Sequence, residues 1–482
     1  MLAVLSAVGV LAFVAAGAVF GDAAERPVET QSSEQMPRPP HSRWKVDAAA
    51  LFGAEFAHAR LSVEVAEPVL IVKANPDGSG KRGALIALDP ATGRPLWQSP
   101  RTGWDGPCAM SRDDRLACVR IVRDAGAVVN RVSFIDPRSG QDVATATIDT
   151  AGWSTITRAG DGFLVVTGEM ENIAVPEEVS EDTEMRVALV TSDDIPDQRV
   201  RITRFDSHGH LLWTIRPPVN HDQLAVSGTG NLFAMAGRYR GGLAVYRLDT
   251  GRALYSTPAR PRGADASNLG PDSVIVHRWG FVTSRSTPGR SRVEFFDVDG
   301  RKSGDIAGWR VPRQEAFSEQ ATTAGGDVLP LVSSTDVGMA TIRDHVLRWA
   351  TLAAPSSSVQ MLGDEYAAAV REDYSGEFGI RRNWTIFDAH NGARRGTFTT
   401  GYGQEYLGFD GTRLLFKGDP AADHRPNHPT LAAYNAQSGH REWRLPSPST
   451  TARWHSTAPY LLLLDDGTPG AGVSSSIARY VP

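Results

Sequence analysis

Along the chain, short apolar runs such as 68–73, 116–122, 162–166 and 232–236 alternate with clusters of Gly, Pro and Asp. Runs of this length bounded by turn residues predict β-strands. One pattern recurs with particular regularity. In 84–97 (ALIALDPATGRPLW) an apolar strand leads into an Asp, a tight turn closes on Gly93, and Trp97 stands four residues later. Related copies occupy 132–140, 202–213, 243–255, 293–300, 384–392 and 431–443, and a degenerate copy at 339–349 keeps its Trp although His345 stands where the Gly is expected.

The Gly column at 93, 140, 209, 251, 300, 345, 392 and 439 advances in steps of 47, 69, 42, 49, 45, 47 and 47. One period therefore governs the chain, with one insertion. Roughly 45 residues holding four short strands is the size of a propeller blade. The chemistry of the repeat agrees with that architecture. Asp89, Asp136, Asp206, Asp297 and Asp388, with Gly93, Gly140, Gly209, Gly251, Gly300, Gly392 and Gly439, supply turn residues that tolerate left-handed backbone. The aromatics Trp97, Trp213, Tyr255, Trp349 and Trp443 are placed to pack each blade on its neighbour.

The expected fold is all-β: a propeller of four-stranded antiparallel blades. Eight motif copies imply eight blades. Two further strands, near 460–464 and 475–480, follow the eighth copy, and the stretch Arg43-Trp44-Lys45-Val46 looks like the tail of a motif; depending on how Ala48–Val65 is used, the count is eight or nine. Strands from the two ends of the chain would then complete one blade and close the ring.

These repeats resemble those of the PQQ-like propeller superfamily. Ala87-x-Asp89-x-x-Thr92-Gly93-x-x-x-Trp97 is the closest copy, and Leu248-Asp249-Thr250-Gly251-x-x-x-Tyr255 keeps the Thr-Gly. The superfamily includes quinoprotein dehydrogenases and non-catalytic envelope proteins that use the propeller as a binding surface. The resemblance implies a binding or assembly scaffold, with a pyrroloquinoline quinone-dependent oxidoreductase as the alternative. Only the alternative would require the quinone with calcium. The vicinal disulfide common among such enzymes is impossible here, because the two cysteines, Cys108 and Cys118, are ten residues apart. They flank the turn 111–115 and are expected to pair across a hairpin in an oxidising compartment.

Residues 2–20 are apolar but for Ser6, enough for a helix across most of a bilayer core. The missing basic n-region and the length favour an uncleaved anchor; a cleaved signal remains the alternative, with Ala16-Gly17-Ala18 as a small-residue site. The segment 21–42, rich in Pro, Glu, Gln and Ser, reads as a flexible tether, and 43–482 as the propeller. The expected setting is the cell membrane or envelope, with a single-pass helix and an extracytoplasmic propeller, secreted if the segment is cleaved.

Fifty Lys and Arg against 55 Asp and Glu give a formal charge of −5, which offers no excess of positive charge for nucleic acid. The expected partners are the membrane, through residues 2–20, and an unidentified protein or cell-wall ligand. The 69-residue step holds an acidic run, Glu169, Glu171, Glu177, Glu178, Glu181, Asp182 and Glu184, that could serve as a docking arm for a basic partner or as a solvated loop.

Other local patterns carry little chemistry. The stretch 78–83 (GSGKRG) matches a phosphate-binding motif in letters, but an apolar strand follows it rather than a helix. Asp419, Asp423, His424 and His428 fall in a Pro-rich loop, His208 and His210 in a repeat turn, and the Asp297-Val298-Asp299-Gly300 stretch lacks the remaining acids of a calcium loop. No metal site and no catalytic residue are assigned.

Overall fold

The computed structural model describes residues 35–65, 67–76, 82–104, 106–124, 127–148, 154–169, 199–217, 223–226, 231–236, 242–258, 273–287, 290–312, 327–352, 358–362, 365–373, 381–401, 404–418, 430–457, 460–467 and 473–482. The segment 1–20 and nearly all of the acidic run lie outside them. Among the described residues, no helix is long and apolar enough to cross a membrane.

The strands form nine antiparallel sheets, so the ring has nine blades among the described residues. Blades 1 to 8 follow in chain order over 60–102, 108–148, 154–215, 223–257, 273–307, 310–352, 358–401 and 405–446. Blade 6 has three described strands, with a single bridge between Arg310 and Val332 marking the place of its first strand. First strands of successive blades lie beside one another, which puts them innermost.

Blade 9 joins the two ends of the chain. Three strands within 452–481 are completed by His41–Asp47, which pairs with Ser476–Val481 from His41 opposite Val481 to Asp47 opposite Ser476. A short helix, Ala48–Phe52, then leads into blade 1. The eight repeat turns and the nine blades are consistent, because each turn joins the third strand of a blade to its fourth. In blade 9 those two strands come from opposite ends of the chain, and no turn joins them.

Burial follows radial position. Middle strands are apolar on both faces, as in Ala84–Leu88 and Val328–Val332, where every residue is buried between neighbouring blades. Outer strands such as Leu347–Leu352 alternate half-buried and exposed residues. The core is thus a set of clusters between blades: blade 5 contributes Val282 and Phe295, and blade 6 contributes Leu329 and Ala340, to one of them.

Each junction at the outer corner is keyed by the repeat. Gly140 has φ +72, and a methyl group on it would come 2.8 Å from the Trp97 ring of the preceding blade. The Trp97 indole N–H donates to the Pro137 carbonyl at 2.8 Å, inside the same turn. The same arrangement sets Trp44 on Gly93, Trp213 on Gly251 and Trp349 on Gly392, with indole N–H donors to Pro90, Leu248 and Ala389.

Where the aromatic changes, another group takes its place. Ala144 stands at the Trp position of blade 2, and Phe134 fills the space against Gly209. Tyr255 turns to Phe281 and Phe296, at 5.7 and 4.9 Å. Gly396 and Gly439 let backbones approach, a methyl on Gly396 meeting the Gln437 carbonyl at 2.6 Å. Blade 9 has no repeat turn to receive Trp443, whose indole instead donates to the Met36 carbonyl at 2.8 Å. Met36, in the stretch expected as tether, is 1% exposed, and its own N–H donates to Asp410 at 2.8 Å.

Three substitutions separate the contributions at one junction. Trp97→Phe removes the indole donor and is expected to cost about 1 kcal/mol, Trp97→Ala about 3–5 kcal/mol, and Gly140→Val to destabilise through both backbone and contact. Urea denaturation of the three variants checks the order; equal stability of all three with the parent would contradict the junction's role.

Candidate binding face

Four antiparallel strands per blade give the ring two unlike faces. Connections from first to second and from third to fourth strands open on one face, all other connections on the opposite one. The first face carries the eight repeat turns. The repeat acids cap them: the Asp136 carboxylate accepts the backbone N–H groups of Arg138 and Ser139, both at 2.9 Å, and the Gly140 N–H donates to the Asp136 carbonyl. The Ser139 N–H bond, ahead of the others, holds the Asp136 carboxyl below its usual range.

Asp206, Asp297, Asp388 and Asn435 cap their turns in the same way. The Asp297-Val298-Asp299-Gly300 stretch is therefore a repeat turn. His210 Nδ1 lies 2.8 Å from Asp206 within its own turn. Inter-turn hydrogen bonds add rigidity, among them Leu248 N–H to the Asn231 carbonyl and Ala436 N–H to the Thr412 carbonyl.

The opposite face receives the strand ends that bracket 170–198, 259–272, 374–380 and 419–429, while the ends that bracket 313–326, between Arg310 and Val328 of blade 6, open on the turn face. Glu169 ends its strand there, paired in register with Arg199. Glu171, Glu177, Glu178, Glu181, Asp182 and Glu184 lie outside the described residues, as do Asp419, Asp423, His424 and His428. The GSGKRG stretch, mostly outside the described residues, lies between two paired strands, Leu70–Asn75 and Ala84–Leu88, whose adjoining ends open on this face.

Toward the centre, blades 8, 9 and 1 place a charged group on this same side. Glu405 pairs with Lys417 at 2.9 Å. Arg453 pairs with Asp466 at 2.8 Å and donates to the Leu61 carbonyl at 2.9 Å, while the Leu61 N–H donates to Asp466 at 3.1 Å. Between these pairs, burial and then the charges of Lys417 and Arg453 keep the His455 imidazole below its ordinary pKa, hence neutral. A side of the ring mouth is thus lined by fixed, mostly paired charges.

Cys108 and Cys118 form a disulfide directly across the first two strands of blade 2, both side chains buried. Nothing about them resembles a reactive thiol pair. The calcium that a bound quinone would need calls for converging acids, and among the described residues no three His, Cys, Asp or Glu side chains gather around one point.

Some structural polar residues carried no sequence signal. Asp410 is buried and accepts N–H groups from Met36, Thr412 and Arg413, and Asp465 accepts from Ser449, Thr451 and Gly467. Only the Asp-Gly-Thr order at 410–412 marks the first as a turn; the second belongs to no repeat.

No protein-family model matches the chain, and no curated protein matches it. Solved structures of similar shape include BamB from Moraxella catarrhalis (9% identity, 92% of this chain and 98% of that one, TM-score 0.45). Others are the quinohemoprotein alcohol dehydrogenase from Comamonas testosteroni (12% identity, 96% and 82%, TM-score 0.41) and Saccharomyces cerevisiae Sqt1 (10% identity, 78% and 95%, TM-score 0.40). The propeller assignment rests on the blades themselves.

Because the Cys108–Cys118 bridge closes a short loop, its removal is expected to cost about 2–3 kcal/mol. Cys108→Ala with Cys118→Ala should lower the urea midpoint in oxidising buffer, and a reductant should move the parent toward the double variant. An unchanged midpoint in both arms would remove the bridge as a stabilising element.

Proposed function

We propose that this propeller is a non-catalytic binding or assembly scaffold, presented outside the cytoplasm and held at a membrane by residues 2–20. The observation that carries the reading is the asymmetry of the two faces. One carries the capped repeat turns. The other receives the strand ends that bracket four of the five longest internal stretches outside the described residues, around a charged ring mouth, and chain length can vary there without disturbing the repeat turns.

The compartment follows from two supports. A buried disulfide is characteristic of oxidising surroundings, and the apolar segment 2–20 has the length of a bilayer core. Partner chemistry is expected to be protein or cell-wall polymer, with the acidic run at 169–184 favouring a basic surface.

A photocrosslinking amino acid tests the face assignment. Placed at Asp124, Thr335 or Val473 on the long-connection face, it should give discrete adducts in cells; placed at Ser139, His390 or Ser438 among the turns, it should not. Adducts from the turn positions alone would reverse the assignment. Deletion of residues 1–26 should release the chain from a carbonate-washed membrane pellet, and retention in the pellet would contradict the anchoring role of that segment.

A further inference from the structure

We propose that the junction between blades 5 and 6 is an acid-sensitive seam of the ring, a place where the closed propeller loosens as its surroundings acidify. The proposal starts from an exchange of partners. At this junction Gly304 stands at the Trp position of blade 5, and His345 stands at the Gly position of the blade 6 turn, with φ +56. The interlock is inverted: the ring comes from the turn and covers the glycine, and a methyl on Gly304 would meet His345 Nδ1 at 2.7 Å. His345 Nε2 lies 3.1 Å from Ser303 Oγ, and its ring stands 4.8 Å from Phe295. An imidazole occupies a position that indoles fill at other junctions.

A second imidazole lies behind it. His277 ends the first strand of blade 5 and is 5% exposed. Its Nδ1 accepts the Trp279 backbone N–H at 3.2 Å, so the neutral ring carries its proton on Nε2, which has no hydrogen-bond partner.

Positive groups dominate the surroundings. Arg278 and Arg343 both lie over the Trp279 ring, at 4.0 and 4.7 Å, and the charge of His345 on blade 6 acts on His277 in the same sense. Of the nearby carboxylates, Asp327 lies 4.0 Å from Arg343, while Glu294 and Asp305 on the outer strands of blade 5 are both held by Lys302 at 2.7 Å. Among the described residues no carboxylate pairs with His277, so there a second proton on it would be a buried charge without a counter-ion.

Burial, and then His345, push the His277 pKa down to about 4 from its ordinary value of 6.5. The closed seam therefore binds fewer protons than the open one. Stability is fully present above pH 6.5 and is lost as pH falls toward 4. From these two values, the open fraction at pH 4.5 should exceed that at pH 7 roughly 50-fold.

Amide hydrogen exchange, corrected for intrinsic rates, should show that rise in peptides covering 273–300 and 327–349, with a much smaller change in 108–135 of blade 2. His277→Asn keeps an acceptor for Trp279 and removes the titration, and it should flatten the response. A uniform response across all blades, or an unchanged profile in the variant, would overturn the proposal. If the variant does not fold, the histidine resonances of the parent decide. A His277 signal that shifts at pH 6 or above overturns the seam, and one that holds until well below pH 5 supports it.

Discussion

A tryptophan of one blade laid on a glycine of the next is the contact on which this ring depends. It joins three demands in one place. The glycine must be left-handed to make the turn, it must lack a side chain to admit the indole, and the indole must end its N–H on a carbonyl of that turn. At four junctions the indole and the glycine meet in this way, and at a fifth Trp443 finds its acceptor in Met36. Because each blade buries both faces of its middle strands against neighbours, small errors at one junction would propagate around a closed ring. Fixing the outer corner by a bidirectional contact limits the angle between blades.

That constraint also explains where the molecule is free to vary. The corner contacts and the acid caps occupy the outer part of the turn face, where a long insertion in a repeat turn would collide with them. Among the described residues the opposite face carries no such contacts, and the strand ends that bracket 170–198, the longest connection, open on it. Its central edge near blades 8, 9 and 1 is tied by Arg453, Asp466 and Leu61, which couples the ring's point of closure to the face proposed to meet a partner. The disulfide in blade 2 stiffens the innermost strands rather than offering chemistry.

Much of the fold was legible because the repeat turn is local: Asp89, Gly93 and Trp97 lie within nine residues, and each needs only its own segment to make sense. Eight turns implied eight blades, with nine left open, and the structure shows why the turn count is one short. The strands that meet in blade 9 are separated by nearly the whole chain, and strand pairing at such distance leaves no spacing signal. Met36 was hidden for a related reason, since a backbone carbonyl that replaces a missing turn has no side-chain signature. The candidate face was legible only as insertion lengths. Its charged mouth draws single residues from three blades, and only closure of the ring brings them together.

Ring closure by both ends of the chain is the central claim, and a chain beginning at residue 48 tests it directly. Without the fourth strand of blade 9, and without Met36 and Trp44, this chain should melt well below the full-length protein. A peptide covering 35–47 should bind it and restore much of the lost midpoint. An unchanged midpoint, with no binding of the peptide, would mean that blade 9 closes without the amino-terminal strand and would contradict the account.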